Sequence, residues 1–547
     1  MKIFTLCRPY LLSQKSTLIT YIVIILATAS ITIISPYLIG NFLDNLIEGA
    51  DINTILRFCA IYGSLNLIKI FKGYVTSIMY VNMQAKMGYD LAMDTIKHVQ
   101  GLSLSYINNK DSTYLNHRIS NDSTSLIVFC IGLLQNFITN AATFVIPFIL
   151  LMTINRLVAI LMLGFIVLYI TLYLFFRKPI YNAGLAFREA QAKLFAGLSD
   201  QLKYIKLIKV NSTYKEMNSR ADNSFLGLKR VAIHNQKVNY LYSGMDGFIS
   251  TLAQTVLLVV GGIQILLGNF TIGMFTIFSS YFNMMLISGR YFFGLGAAFQ
   301  NALVSCDRIR GIFEQNLESH GSIILRDVNK IQLSNVNFSY CDKDRITIEN
   351  ISAKFHKGKV YAVSGANGAG KSTLLSLIMG LYIDEYKGSI TYNDVDIRNI
   401  DMIDARRRLI GFAEQEPMLV NDSIRFNLGS SESESIDSGE DDTLKQSLDA
   451  HIETLNMQDF ISKNSFDFPL NENSTNTSGG EKQKIAILKV LYKNPIVMIF
   501  DEPTSALDAH TTRQFIDYLQ QIKRDKIIIM ITHDEFVKEI CDDVVNL

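Results

Sequence analysis

The chain has 547 residues, with 51 Lys and Arg against 50 Asp and Glu, a formal charge of +1 and a mean hydropathy of +0.22. That length allows roughly two to four domains. The balanced charge gives no whole-chain reason for a nucleic-acid partner, and the positive hydropathy argues against a wholly soluble protein. The six cysteines (Cys7, Cys59, Cys130, Cys306, Cys341, Cys541) are scattered without a C-x-x-C pair, which favours free thiols over a disulfide framework or a zinc site. Tryptophan is absent, so an aromatic belt must come from tyrosine.

Lys2, Arg8 and Lys15 precede an apolar run from Thr17 to Leu43, too long for a signal-peptide core and read as an uncleaved first span with Pro36 inside it. A second run covers Leu56 to Val81, followed by a basic stretch with Lys86, Lys97, His98, Lys110, His117 and Arg118. Ser125 to Ile154 (with Pro147) and Leu157 to Phe176 read as spans three and four, joined at Asn155-Arg156. A long basic stretch from Arg177 to Lys237 follows. Phe248–Leu267 and Ile272–Gly289 read as spans five and six. Lys and Arg concentrate at the N-terminus, between spans two and three, between four and five, and after six, so these loops and the C-terminal half are expected on the cytoplasmic side. Spans two to five are expected to continue beyond the bilayer as helices. Asn66, Lys69, Asn82, Gln84, Gln135, Asn136, Asn140, Gln254, Gln264 and Asn283 are costly against lipid and should face the bundle interior, as helix–helix hydrogen bonds or substrate contacts.

After a polar connector, Ile331 to Tyr340 alternates like an edge strand. Tyr340 could stack on a nucleotide base or could be a surface strand residue. Lys359 to Ser364 reads as a buried strand, Gly365-Ala366-Asn367-Gly368-Ala369-Gly370-Lys371-Ser372 matches G-x-x-x-x-G-K-S/T, and Ser372 to Met379 reads as a helix. In that context the glycines let N–H groups close on phosphate, Lys371 reaches the β/γ-phosphates and Ser372 sits on Mg2+. Leu409 to Gln415 is a strand ending in a glutamine that can reach a metal or its water. Gly429 to Asp442, rich in serine and acids, reads as a solvated loop, with a phosphorylated regulatory loop as the alternative. Thr477-Ser478-Gly479-Gly480 opens a helix that offers a second anion site. Ile496 to Glu502 is a buried strand ending in two carboxylates: Asp501 suits a metal's shell and Glu502 a base that orients water. Ser505 to Asp508 is a turn, and Lys526 to Thr532 is the last clear strand, delivering His533 to the same edge as a γ-phosphate contact.

Together these residues resemble the ABC exporters, six spans followed by one cassette, with seven motifs in order. The expected fold is a multidomain one: an all-α six-helix membrane domain (1–312), a linker (313–330) and an α/β P-loop ATPase domain (331–547). By resemblance Tyr340 is the A-loop aromatic, Gly365–Ser372 the Walker A loop, followed by Thr373, Gln415 the Q-loop and Ser478-Gly479-Gly480 the signature. Asp501 and Glu502 are Walker B and the catalytic glutamate, Asp508 the D-loop and His533 the switch histidine. The resemblance thus assigns catalysis to Glu502, His533 and Gln415. It assigns ATP to Tyr340, Gly365, Asn367, Gly368, Gly370, Lys371, Ser372, Thr373, Ser478, Gly479, Gly480 and Asp508, and Mg2+ to Ser372, Gln415 and Asp501. The signature reads T-S-G-G-E rather than L-S-G-G-Q. Asn471-Glu472-Asn473 replaces the exporter G-E-R, with Glu472 keeping the glutamate's offset. The chain stops after Val544-Val545, where the family adds another strand and a short tail. Tyr106–Asp122 and the region from Lys209 to Asp222 resemble coupling regions and are expected to press on the cassette near Gln415.

In this family the P-loop of one cassette closes on the signature of another, so the resemblance implies two chains: a homodimer, or a heterodimer with a second half-transporter. It implies ATP-driven export from a bacterial cytoplasmic membrane. No protease domain precedes the spans, and the arrangement is similar to exporters of antimicrobial peptides, including lasso-peptide microcins. A multidrug or lipid-flipping exporter is the alternative, and a membrane-tethered ATPase that does not transport is a third.

Overall fold

The computed structural model describes residues 2–108, 112–154, 156–340, 347–429, 442–471 and 476–547. Cys341, Glu472, Asn473 and nearly all of the acidic serine-rich loop lie outside them. The chain forms two compact units, residues 1–97 with 113–314, and residues 98–112 with 315–547.

The first unit is helical: α1 (Lys2–Ser13), α2 (Lys15–Ile47) and α3 (Ile52–Gln100), then, past the short α4 (Leu104–Asn108), α5 (Ser112–Ile154), α6 (Arg156–Lys203), α7 (Ile205–Asn211), α8 (Tyr214–Leu266) and α9 (Ile272–Phe313). Among the described residues six helices are long and apolar enough to cross a membrane, within α2, α3, α5, α6, α8 and α9. The 53 residues of α8 extend about 80 Å at 1.5 Å per residue, far beyond a hydrocarbon core of about 30 Å. Spans two to five continue in this way, as their polar flanks anticipate.

The polar side chains within the spans divide in two. Gln135 accepts the Tyr21 hydroxyl, and Gln254 Nε2 donates to Asn283 Oδ1 at 3.1 Å, so both join different helices. Asn66 and Asn140 instead donate to carbonyls four residues back on their own helices. Pro36 removes one donor from the α2 ladder, and in the same turn the Ile33 carbonyl accepts the Tyr281 hydroxyl of α9 at 2.9 Å. Two apolar clusters fill this unit, one around Tyr169, Phe278, Tyr281 and Phe282, the other around Tyr21, Met83, Met87 and the thiols of Cys7, Cys130 and Cys306. None of the five described cysteines is in a disulfide.

The second unit carries β1 (Lys330–Phe338), β2 (Ile348–His356), β3 (Lys359–Ser364), α10 (Lys371–Ile378), β4 (Lys387–Tyr392), β5 (Val395–Asp396), α11 (Met402–Arg408) and β6 (Ile410–Ala413). It continues with α12 (Ile424–Gly429), α13 (Asp442–Thr454), α14 (Gln458–Asn464), α15 (Gly479–Lys493), β7 (Val497–Asp501), α16 (Ala509–Ile522), β8 (Ile527–Ile531), α17 (Glu535–Ile540) and β9 (Asp543–Asn546). Among the described residues one sheet has the order β2-β1-β4-β5 and the other β6-β7-β8-β3-β9. All pairings of the second sheet are parallel, and β7 and β8 are buried at every position, so the carboxyl ends of its strands share one edge.

Two sequence expectations need correction. The alternating strand is no edge: β1 pairs with β2 on one side and β4 on the other, and its alternation reflects one core face and one wet face. Nor is Lys526–Thr532 the last strand, because β9 follows and pairs with β3 from Tyr361↔Asp543 to Ser364↔Asn546. The residues that close the chain thus supply the edge of the parallel sheet.

Where α2 meets α9, Asp44 accepts the Gly273 amide at 2.7 Å and the Thr271 hydroxyl at 2.6 Å, capping α9. A Cβ on Gly273 would fall 2.0 Å from the Gly40 carbonyl oxygen, a backbone atom that cannot swing away. Gly273→Ala is therefore expected to cost about 1–3 kcal/mol through overpacking. This is read as a lower thermal midpoint of the solubilised protein. Gly262→Ala, whose Cβ would meet nothing within 4 Å, is expected to leave the midpoint unchanged or slightly higher.

Candidate nucleotide-binding site

The parallel sheet delivers chemistry from four neighbouring strands. The loop 365–370 leaves β3, Gln415 follows β6, Asp501 and Glu502 end β7, and Thr532-His533 follow β8. Ligands of such sheets bind outside the carboxyl ends, and here the side chains meet there.

Gly370 has φ +92°, and a Cβ on it would meet the Thr347 carbonyl oxygen at 2.8 Å, so no other residue fits the turn into α10. Gly368 is also left-handed, and Asn367 is exposed at the loop's tip. Lys371 is 8% exposed, its ammonium donating to the carbonyls of Gly365 (3.0 Å) and Ala366 (3.2 Å). A cation buried on neutral acceptors, at the start of a helix with a free amino-terminal end, is a seat for an anion.

The Ser372 side chain lies beside Asp501, a buried carboxylate, and favours its ionised form. Burial holds the Asp501 pKa above its ordinary value, against the lowering effects of Ser372 and Lys371. Hydroxyl, carboxylate and the Gln415 amide oxygen are hard donors of the type magnesium takes alongside phosphate oxygens. Thr373, one position on, is buried, and its hydroxyl lies 3.0 Å from that of Tyr340.

Glu502 is held from three sides. Its backbone is left-handed (φ +47°), an unfavourable conformation for glutamate. Its amide donates to the Ile531 carbonyl at 3.0 Å, extending the β7–β8 ladder by one residue. On the carboxylate, Gln415 Nε2 donates to Oε2 at 2.7 Å and His533 Nε2 stands 3.5 Å from Oε1. The three residues assigned to catalysis from the sequence therefore form one cluster.

Sequence reasoning missed Gln483. It is 2% exposed, donates to the Glu502 carbonyl at 2.7 Å and accepts the Ala506 amide at 3.0 Å. It ties α15 to the strained turn that carries the carboxylate. Its one sequence signal is a polar residue at the head of an otherwise apolar helix face.

Ser478, Gly479 and Gly480 stand elsewhere, at the start of α15. Ser478 and Glu481 form a reciprocal cap, with the Glu481 carboxylate accepting the Ser478 amide at 2.7 Å and its hydroxyl at 2.8 Å. The glutamate that departs from the family's glutamine thus serves as the cap partner. No hydrogen bond among the described residues joins Ser478–Gly480 to Gly365–Thr373. Asp508 caps α16, accepting the Thr511 amide at 2.9 Å and hydroxyl at 2.7 Å, and these bonds pull its pKa down to about 2.

Residues 18–288 match the family model described as ABC transporter transmembrane region, and residues 348–505 the one described as ABC transporter. The chain belongs to the ABC transporter family. This half-transporter is a multi-pass membrane protein that binds ATP and couples its hydrolysis to export. ABC transporter B family member 1 of Dictyostelium discoideum is 29% identical over 70% of this chain, which spans only 42% of that longer protein. The lactococcin-G-processing and transport ATP-binding protein of Lactococcus lactis subsp. lactis is 24% identical over 98% of this chain and 74% of its own length. The ATP-dependent lipid A-core flippase of Syntrophus aciditrophicus (strain SB) is 24% identical over 97% and 87%. The solved structure of a bacterial Atm1-family ABC exporter with ATP bound superposes with a TM-score of 0.83 at 19% identity, covering 98% of this chain and 94% of that one, which shows a shared fold.

Because folding raises the Asp501 pKa, its ionised form opposes folding above the ordinary carboxylate range near pH 4, and this opposition vanishes below it. Asp501→Asn keeps the size of the side chain and removes the charge. It is expected to raise the thermal midpoint of the nucleotide-free ABC transporter at pH 7.5, with the gain shrinking toward pH 4, while ATP hydrolysis is lost. A lower midpoint at pH 7.5 contradicts this balance.

Proposed function

We propose that two copies of this chain form a bacterial cytoplasmic-membrane exporter, with ATP sandwiched between them, that moves an antimicrobial or otherwise modified peptide outward. The observation that carries the hydrolytic part is the Glu502 carboxylate, held by Gln415 and facing His533 beside the P-loop. In this reading the membrane domain spans 1–312, a linker 313–330 and the ATPase domain 331–547, with both termini cytoplasmic.

Each residue then has a task. Tyr340 stacks on adenine. Gly365, Asn367, Gly368 and Gly370 wrap the phosphates with backbone amides, and Lys371 exchanges its two carbonyl partners for phosphate oxygens. Ser372, Asp501 and Gln415 hold Mg2+, which when bound neutralises charge on the β- and γ-phosphates. Glu502 orients the attacking water and takes its proton, Gln415 fixes the carboxylate's angle, and His533 contacts the γ-phosphate. Ser478, Gly479 and Gly480 present a helix amino terminus to the phosphate held by the other copy, next to that copy's Asp508. Closure of the paired cassettes by ATP biases the membrane helices to an outward-open state, and hydrolysis resets them.

The peptide substrate draws support from the likeness to a lactococcin-G transport protein. The equal likeness to a lipid A-core flippase supports lipid export as the second reading.

Glu502→Gln keeps the shape of the side chain and loses its basicity. Turnover is expected to fall by about 10²-fold or more, the range of general-base catalysis, with ATP still bound. Retained ATP hydrolysis would remove Glu502 from its role. In proteoliposomes a peptide substrate stimulates hydrolysis where lipid A and dyes do not, whereas stimulation by lipid alone would favour the second reading.

A further inference from the structure

Residues 98–112 lie in sequence between the second and third spans, yet they cluster with the nucleotide-binding unit. Leu102 bridges to Leu317, and the Glu318 amide donates to the Gly101 carbonyl at 2.7 Å. Farther along, the Ser105 hydroxyl donates to Glu385, and Asn108 Nδ2 donates to the Tyr382 hydroxyl at 3.3 Å. These partners differ from the neighbourhood of Gln415 that the sequence pointed to, and they lead to the other end of the nucleotide.

Tyr382 is 4% exposed and belongs to a triad of aromatic rings. Phe338 and Tyr340 meet edge to face at 4.9 Å, Tyr340 and Tyr382 at 5.7 Å, and Phe338 and Tyr382 lie 5.0 Å apart. Rings packed in this way cannot shift singly. The far side of the triad is the Tyr340 hydroxyl on Thr373, next to Ser372. A continuous set of contacts therefore runs from Asn108 through Tyr382 and Tyr340 to the first turn of α10.

We propose that Tyr382 is a positioning residue through which residues 98–108 set the seat of Tyr340, and with it the affinity for the adenine ring. This rests on the reading of Tyr340 as the adenine-facing aromatic. The contact with Asn108 tells the base-binding end of the site where the segment between the spans lies, independently of the Gln415–Glu502 cluster.

The test uses the full chain in lipid nanodiscs, with hydrolysis followed as a function of ATP concentration. Asn108→Ala and Tyr382→Phe each delete one hydrogen bond and keep the ring. Each is expected to raise KM for ATP about three- to tenfold, the effect of one such bond, with kcat altered less than about twofold. The double variant is no worse than the worse single one, because both act on one path. Wild-type behaviour of Asn108→Ala, additive effects, or a fall in kcat at constant KM overturns the proposal. Tyr340→Ala, measured alongside, separates the two layers. If it shifts KM while Asn108→Ala does not, only the relay fails. If Tyr340→Ala itself behaves as wild type, the adenine reading fails and the relay with it.

Discussion

Parallel pairing of four buried strands is the constraint on which the nucleotide site depends. Because β6, β7, β8 and β3 run the same way, whatever follows each of them emerges on one edge. Gly365–Ser372, Gln415, Asp501-Glu502 and His533 are separated by up to 168 positions in the chain and still meet. An antiparallel reversal of any one strand would send its functional end to the opposite side. The apolar run Ile527–Ile531, buried throughout between β7 and β3, is therefore as necessary to the site as the charged residues it carries.

The same edge concentrates unfavourable features. Glu502 sits in a left-handed backbone, Asp501 is a buried carboxylate held above its ordinary pKa, and Lys371 is a buried ammonium on neutral carbonyls. Each is tolerable because a fully paired sheet and the Gln483 bridge leave the turn nowhere else to go. The last two are also relieved by the same event in the proposed function, since phosphate and its cation satisfy lysine and aspartate together. A site arranged in this way is stabilised by its ligand to a degree set by the ligand's concentration over its dissociation constant.

Much of this was legible because the informative features are local. A glycine loop between a strand and a helix, two carboxylates ending an apolar run, and six long apolar stretches each need only neighbouring residues to be recognised. What stayed hidden depends on pairing between distant segments. The strand at Ile331–Tyr340 has the alternation of an edge strand, and only its partners β2 and β4 reveal that it is interior. β9 is only four residues, two of them polar, and it becomes a strand because β3 offers it a ladder. Gln483 and Tyr382 look like ordinary members of a helix and a turn until Glu502 and Tyr340 are folded against them.

No hydrogen bond among the described residues joins the start of α15 to its own P-loop. In the proposed account one chain gathers the hydrolytic groups on one edge, and a second copy completes the ATP site. Paired variants test this most directly, with differently tagged chains co-purified as mixed dimers. Lys371→Ala in one copy and Ser478→Ala in the other leaves one complete shared site, and the account predicts that such dimers hydrolyse ATP. A double variant, Lys371→Ala with Ser478→Ala, paired with an unaltered chain spoils both shared sites and is predicted to be inactive. The reverse pattern, activity in the second dimer and none in the first, would mean that each chain completes its own site.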